Sequence, residues 1–147
     1  MALEFENILV PISGGKIDKQ AIELACSLTP KKGGHIFAIH IVQIDQSLPL
    51  DVEATPEISR AETILSDVEE FVEDLGYDIS VDLFQAREVG PAIVEEAKEH
   101  HADLILIGLP PKICPEGFRL GEVVPYLLEN APCRVIVYYQ PATSEEC

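Results

Sequence analysis

Residues Asp103 to Gly108 have the sequence D-L-I-L-I-G, and residues Val123 to Val137 have the sequence V-V-P-Y-L-L-E-N-A-P-C-R-V-I-V. The first stretch is a continuous apolar run, which is typical of a strand buried on both faces of a parallel sheet. The second stretch predicts a short helix that begins near Glu122 and ends near Asn130. A second apolar run follows and predicts a strand from Arg134 to Tyr139.

The rest of the chain alternates strands and helices in the same way. Such alternation predicts parallel pairing with right-handed crossovers, and five strands in one domain give a doubly wound α/β sheet with helices on both faces. The predicted strands before the last are Asn7–Ile12, His35–Ile44, Ile79–Gln85 at an edge, and Asp103–Ile107. Three helices are predicted before the one near Glu122. The first ends near Thr29, the second runs from Thr55 to about Leu75, and the third runs from Val89 to His100.

The doubly wound pattern also predicts where a ligand would bind. Ligands of such sheets lie beyond the carboxyl ends of the strands, at the point where the strand order reverses. That rule brings together Pro11 to Gly15, Ile41, and the segment from Gly108 to Val123. Gly108 and Gly121 bracket the loop at which a protein of this shape would hold phosphate groups.

Length and charge limit the possible functions. The 147 residues predict one domain at residues 1–140, followed by a polar tail at residues 141–147. The net charge of −16, from 26 acidic and 10 basic residues, argues against binding of nucleic acid or an anionic membrane surface. The sequence contains no membrane-spanning run and no secretory signal pattern, so we expect a cytoplasmic protein without membrane insertion.

The cysteines do not suggest a metal site. None of the four form a C-x-x-C pair, and their spacing fits no zinc pattern. Cys26 and Cys133 lie among apolar residues and are expected in the core, whereas Cys114 and Cys147 are expected to be exposed.

The sequence also lacks a recognisable catalytic group. The G-x-S-x-G nucleophile motif is absent. Ser13 follows the first strand, but the sequence gives no reason to place a histidine beside it. His40 lies in a buried strand and is expected to be a hydrogen-bonded core residue. We therefore expect a protein that is not an enzyme.

Five segments together resemble the universal stress protein (UspA-like) family, and the resemblance covers nearly the whole chain. Their order and spacing carry it. The segments are I-L-V-P-I at Ile8–Ile12, I-H-I-V at Ile39–Val42, A-R-E-V-G-P-A at Ala86–Ala92, A-D-L-I-L-I-G at Ala102–Gly108 and A-P-C-R-V-I-V at Ala131–Val137.

The resemblance implies a Rossmann-like fold of the adenine nucleotide alpha hydrolase type, with strand order 3-2-1-4-5. It also implies a homodimer, which in the family is commonly formed through the last strand. The stretch from Arg134 to Tyr139 fits that role, because an apolar edge strand left open is prone to pair with another chain. The alternative is that the chain's own tail covers this strand.

ATP-binding members of the family carry a glycine, two residues, a second glycine, nine residues, and then a glycine followed by serine or threonine. Gly108 and Gly121 match the first and third glycines. Pro111 stands at the second, where it has no N–H to offer, and Pro110 removes another donor beside it. Glu122 stands at the hydroxyl position and places a negative charge where phosphate would bind.

Two further positions bear on the resemblance. Ser13 stands where nucleotide-binding members usually have an aspartate, and Ile41 matches the apolar position near the adenine. Lys112 and Arg119 lie in the loop and could offset part of the negative charge, but the favoured interpretation is that both are simply solvated. The resemblance thus implies a degenerate nucleotide crevice formed by Pro11, Ile12, Ser13, Ile41, Gly108, Leu109, Gly121, Glu122 and Val123.

The leading hypothesis is a non-catalytic, dimeric stress-response module that has no cofactor and lacks the family's usual ATP binding. The loop at residues 109–120 would hold a small ligand or a protein partner, with Ile113 and Phe118 as apolar anchors unless they belong to the core. The main alternative is a nucleotide-dependent switch with ATP or AMP in the crevice. A third, weaker hypothesis is a soluble regulator of a membrane transporter, since related domains are sometimes fused to permeases.

Overall fold

The computed structural model describes residues 4–49, 55–111, 117–118 and 121–141. The described elements alternate strictly between strand and helix. They are β1 (Asn7–Ile12), α1 (Ile17–Leu28), β2 (His35–Gln43), α2 (Thr55–Asp74), β3 (Ile79–Ala86), α3 (Val89–Glu99), β4 (Leu104–Leu109), α4 (Val124–Asn130) and β5 (Arg134–Tyr139).

The five strands form one sheet in the order β3-β2-β1-β4-β5, and every neighbouring pair is parallel. This confirms the predicted fold class and strand order. β3 is an edge strand, as predicted. β4 is buried along its whole length, because a central strand with helices on both faces has no solvent side.

Alternate residues of the central strands separate two cores, because successive side chains point to opposite faces of a sheet. In β1, Ile8, Val10 and Ile12 pack with buried residues of α1 and α2. Leu9 packs in the second core, together with residues of α3 and α4 such as Ile93 and Leu127. The helices thus cover both faces, and the carboxyl ends of the strands open at one edge of the sheet.

Several element ends differ slightly from the predictions. β4 continues to Leu109, two residues beyond the predicted end, so that Gly108 lies inside the strand. α4 begins at Val124 instead of near Glu122, and Pro125 lies in its first turn. α2 ends before Gly76, whose φ of 88° is the left-handed conformation that glycine tolerates.

The cysteine predictions are borne out only in part. Cys26 is buried, but Cys133 packs against the second core and remains half-buried, because it precedes an edge strand. Cys114 and Cys147 lie outside the described residues. Within the described ranges, each helix is too short or too polar to cross a bilayer.

Candidate functional site

A cavity of about 270 Å³ opens at the carboxyl ends of β1 and β2, beneath the first turns of α2. Its inner wall is formed by the residues that follow β1 and by the end of β2, which are adjacent because these strands pair directly. α2 supplies the outer wall. The lining residues are Ser13, Gly14, His40, Ile41, Val42, Gln43, Glu57, Arg60, Ala61, Ile64 and Gly117.

The loop after β1 is held by a buried carboxylate from the first turn of α1. The Oδ1 atom of Asp18 accepts hydrogen bonds from the Ser13 backbone N–H at 3.0 Å and from the Ser13 hydroxyl at 3.1 Å. Its Oδ2 atom accepts one from the Gly14 backbone N–H at 2.7 Å. Asp18 is only 5% exposed. The loop after β1 thus has a carboxylate bonded to it from position 18, while position 13 itself is a serine.

Two opposing effects set the proton affinity of this carboxylate. Burial is the larger, and it raises the pKa of Asp18 above the ordinary value. The hydrogen bonds from Ser13 and Gly14 lower the pKa but do not cancel the effect of burial. Sequence reasoning missed this residue, although a signal was present: Asp18 falls within the apolar stripe of α1, next to Ile17 and one turn before Ile22.

His40 forms the side of the cavity next to Ser13. Its Nδ1 atom lies 2.6 Å from the carbonyl oxygen of Ile12. His40 was expected to be a hydrogen-bonded core residue, and its hydrogen bond is confirmed, but the residue is half-buried and lines the cavity instead of lying in the core. Ser13 lines the same cavity, a proximity for which the sequence gave no reason. Ile12 and His40 are register partners in neighbouring strands, so the residue after Ile12 comes to the same cavity.

These three side chains do not form a catalytic triad. In a triad, the histidine accepts the proton of the serine, and a carboxylate orients that histidine. Here the Ser13 hydroxyl donates to Asp18, and the ring nitrogen of His40 bonds a backbone carbonyl. The arrangement holds the loop after β1 in place.

The described residues at and just after the end of β4 provide few backbone donors. Gly108 and Leu109 are buried in the strand, and a Cβ atom at Gly108 would lie 3.0 Å from Cγ1 of Ile17. Pro110 and Pro111 follow, both buried and both without an N–H. Lys112, Ile113 and Arg119 lie outside the described residues, while Phe118 packs against the second core.

Glu122 and Val123 line a second cavity of about 370 Å³, between the start of α3 and the start of α4. Glu88 contributes a second carboxylate there, and Gln43 lines both cavities. Gly121 is exposed, and a Cβ atom at this position would meet nothing within 4 Å.

The nine residues predicted for the crevice are thus divided among three environments. Ser13 and Ile41 line the first cavity, and Glu122 and Val123 line the second. Gly121 lies on the surface. The other four are buried in strands: Pro11, Ile12, Gly108 and Leu109. Within the described part of the chain, the structure gathers no group of three or more metal-binding side chains.

The family model of the universal stress proteins matches residues 4–138. The chain belongs to the universal stress protein family. This universal stress protein is 25% identical, over 143 residues, to universal stress protein MJ0531 of Methanocaldococcus jannaschii; the match spans 93% of this chain and 84% of the relative.

Solved structures share the fold of this universal stress protein. The hypothetical protein MJ0577 superposes with a TM-score of 0.75 at 16% identity, over 96% of this chain and all (100%) of that one. The universal stress protein of Archaeoglobus fulgidus in complex with dAMP has a TM-score of 0.69 at 20% identity, over 92% of this chain and 98% of that one.

Proposed function

We propose that this universal stress protein is a non-catalytic, dimeric stress-response module that does not hold ATP as the phosphate-binding members do. The observation that carries the proposal is the state of the backbone donors around the crevice. Asp18 already accepts the N–H groups of Ser13 and Gly14, and Pro110 and Pro111 have none. A phosphate group needs such donors, because backbone N–H groups neutralise its charge in phosphate-binding loops.

Charge supports the same proposal. Glu122 and Glu88 are exposed carboxylates at the second cavity, where phosphate oxygens would have to approach. Like charges repel, and the repulsion between exposed groups is reduced by water and salt but keeps its sign. The net charge of −16 adds a background field of the same sign.

The non-catalytic role is supported by the arrangement at the first cavity. The Ser13 hydroxyl donates to Asp18, and the ring of His40 bonds a backbone carbonyl, so the two residues do not form a serine–histidine pair. We also propose a cytoplasmic location, which the free thiols of Cys26 and Cys133 support, since a reducing compartment keeps cysteines unpaired.

We propose that the dimer forms through β5. Among the described residues, this strand pairs with β4 on one side and with no other strand on its outer side. Tyr139 at its end is 52% exposed, and Leu128 on the neighbouring α4 is 65% exposed. An open apolar edge with adjoining exposed apolar side chains favours a second copy of the chain.

Light scattering should give the mass of a dimer for the wild type. The variant Leu128→Asp should lose the dimer. The matched control Leu75→Asp should keep it, because Leu75 is exposed at the end of α2, away from β5.

A second candidate function is a mononucleotide-dependent switch. It is favoured by Ile41, which lines the first cavity, and by the Archaeoglobus fulgidus relative solved in complex with dAMP. In this alternative the base would lie against Ile41, and the phosphate would approach Gly121 and Val123.

Native mass spectrometry with and without Mg²⁺-ATP tests the proposal against this alternative. We expect a bare dimer under both conditions. The double variant Pro111→Gly, Glu122→Ser should gain ATP, because it restores one N–H and removes one carboxylate. Glu129→Ser is the control, since it removes the same charge from the other end of α4. A wild-type dimer that carries one nucleotide per subunit would overturn the proposal.

A further inference from the structure

Three rings stack at the amino end of the sheet, at the opposite end of the strands from both cavities. The ring of Phe37 lies between two imidazoles. The centroid of His35 is 4.5 Å away at an interplanar angle of 49°, and that of His100 is 4.4 Å away at 22°. His35 begins β2, and His100 directly follows the last residue of α3. This ring stack of His35, Phe37 and His100 therefore joins the start of a strand to the end of a helix.

Polar contacts connect the ring stack to the elements around it. The Nε2 atom of His35 lies 2.7 Å from the Ser80 hydroxyl on the edge strand β3. The backbone N–H of His35 donates to the carbonyl of Glu6 at 2.7 Å. The Nε2 atom of His100 lies 3.3 Å from a carboxylate oxygen of Glu96, one turn earlier in α3. The amino ends of β2 and β3 thus meet the end of α3 at this stack.

The ring stack is a poor place for a positive charge on His35. Burial is the largest effect, and it lowers the pKa of His35. The Asp78 carboxylate raises this pKa, and the imidazole of His100 across the Phe37 ring lowers it, so that the net direction is downward. Ser80 pairs with either form of the ring, because a hydroxyl both donates and accepts hydrogen bonds.

The other groups near the stack do not reverse this direction. On the side of β1, the register partner of His35 is the uncharged Asn7, and the Asp103 carboxylate is bonded to the N–H groups of Glu6 and Asn7. Burial raises the pKa of Glu96, and His100 lowers it. The ionisable groups that influence the pKa of His35 or of Glu96 are Asp78 before β3, Asp82 on β3, and Glu96, Glu99 and His100 at the end of α3.

We propose that the ring stack is an acid-sensitive latch between β2 and the end of α3, closed while His35 is neutral and opened when His35 is protonated. The inference goes beyond the proposed function, since it concerns the amino end of the sheet and neither cavity. A histidine whose pKa is lower in the folded state contributes stability that is complete above the ordinary pKa of 6.5. That contribution is lost as the pH falls from 6.5 toward the folded value. The latch should therefore open on acidification.

Amide hydrogen exchange followed residue by residue by NMR tests the latch on the full chain. The reporters are the amides of His100 and Ala102, which close the end of α3 by bonding the carbonyls of Glu96 and Ala97. Their protection factors should be compared at about pH 7.5 and about pH 5.5, which bracket the ordinary histidine pKa. We expect protection to fall by about threefold or more at the lower pH, while the amides of Ile105 and Ile107 in β4 keep theirs.

Two substitutions of histidine identify the group responsible. His35→Phe keeps an aromatic ring beside Phe37 but cannot be protonated, so the loss of protection on acidification should disappear. His101→Asn is the matched control, because His101 is an exposed histidine beside the stack, and asparagine tolerates its φ of 52°. This control should keep the acid sensitivity of the wild type. The raised pKa of Glu96 adds stability on acidification, so Glu96 cannot produce the expected loss.

An NMR titration of the histidine rings provides a second test that does not depend on the folding of His35→Phe. The midpoint of His35 should lie below 6.5 in the wild type. His100→Gln removes the imidazole on the other side of Phe37, so the midpoint of His35 should rise. A merely structural role of His100 would not move this midpoint upward.

The results that would overturn the latch are distinct. Protection that is the same at both pH values would do so, and so would equal losses at the end of α3 and in β4, which indicate general destabilisation. Acid sensitivity that persists in His35→Phe would assign the effect to another group. A His35 midpoint at or above 6.5 in the wild type would remove the physical basis of the latch.

Discussion

Replacing the first and third glycines of the phosphate pattern by alanine should have opposite consequences. At Gly108, a Cβ atom would lie 3.0 Å from Cγ1 of Ile17 and 3.3 Å from Cβ of Ala21, whereas carbon atoms pack best at about 3.5–4.0 Å. β4 or α1 would have to move by a few tenths of an ångström or more. At Gly121, the new methyl group would meet nothing within 4 Å, and its φ is not positive.

We expect Gly108→Ala to lower the free energy of unfolding by about 1–2 kcal/mol. Overpacking of a core costs about 1–3 kcal/mol, and the better strand propensity of alanine returns about 0.5 kcal/mol. Gly121→Ala should be neutral or stabilising by about 0.5 kcal/mol, because alanine reduces the freedom of the unfolded chain. Urea denaturation monitored by circular dichroism measures both values.

A double-mutant cycle with Ile17→Ala identifies the cause. That substitution removes the Cγ1 atom that the new methyl group would contact, so Gly108→Ala should cost at least about 1 kcal/mol less in the Ile17→Ala background. A coupling energy below about 0.5 kcal/mol would refute the packing argument. Equal effects of alanine at Gly108 and Gly121 would refute it as well.

Three further predictions concern buried polar groups. Thr29→Val should raise the free energy of unfolding by about 1 kcal/mol in urea denaturation, because the Thr29 hydroxyl is buried without a hydrogen-bond partner among the described residues. Burial raises the pKa of Cys26 from 9.0 to about 11. Alkylation at pH 8, measured by peptide mass spectrometry, should therefore modify Cys26 far more slowly than Cys133. The contribution of Cys26 to stability should be lost as the pH rises from 9 to 11. Because the pKa of Asp18 is raised, its contribution to stability is complete below the ordinary carboxyl pKa and is lost as the pH rises through the pKa of the folded state. The destabilisation by Asp18→Asn, measured by urea denaturation, should therefore be larger at pH 4 than at pH 7. The opposite trend would contradict the assigned direction of the pKa shift.

The sequence predicted the sheet well because each strand is a local apolar run. Leu104 to Ile107 and Ile8 to Ile12 are buried on both faces, and continuous runs of this kind identify central parallel strands without knowledge of their neighbours. The end of β4 was harder to predict. Gly108 and Leu109 look like the start of a loop in the sequence, but pairing with Tyr138 and Tyr139 extends the strand.

The candidate site was less predictable, because its contacts join residues from different elements. The position of His40 beside Ser13 follows from the register of β1 with β2, which spacing along the chain does not specify. The role of Asp18 depends on how closely the first turn of α1 approaches the loop after β1. The predicted crevice also divides into two cavities, with Ile41 in one and Glu122 in the other.

By itself, the sequence determined the alternation of strands and helices and the chemistry that is missing from the loop after β4. Both follow from local rules, since burial patterns depend on residues close in the chain and proline lacks an N–H in any fold. Only the tertiary structure decided which donors are already occupied. The N–H groups of Ser13 and Gly14 look available in the sequence, and they are committed in the fold because the buried carboxylate of Asp18 must be hydrogen-bonded.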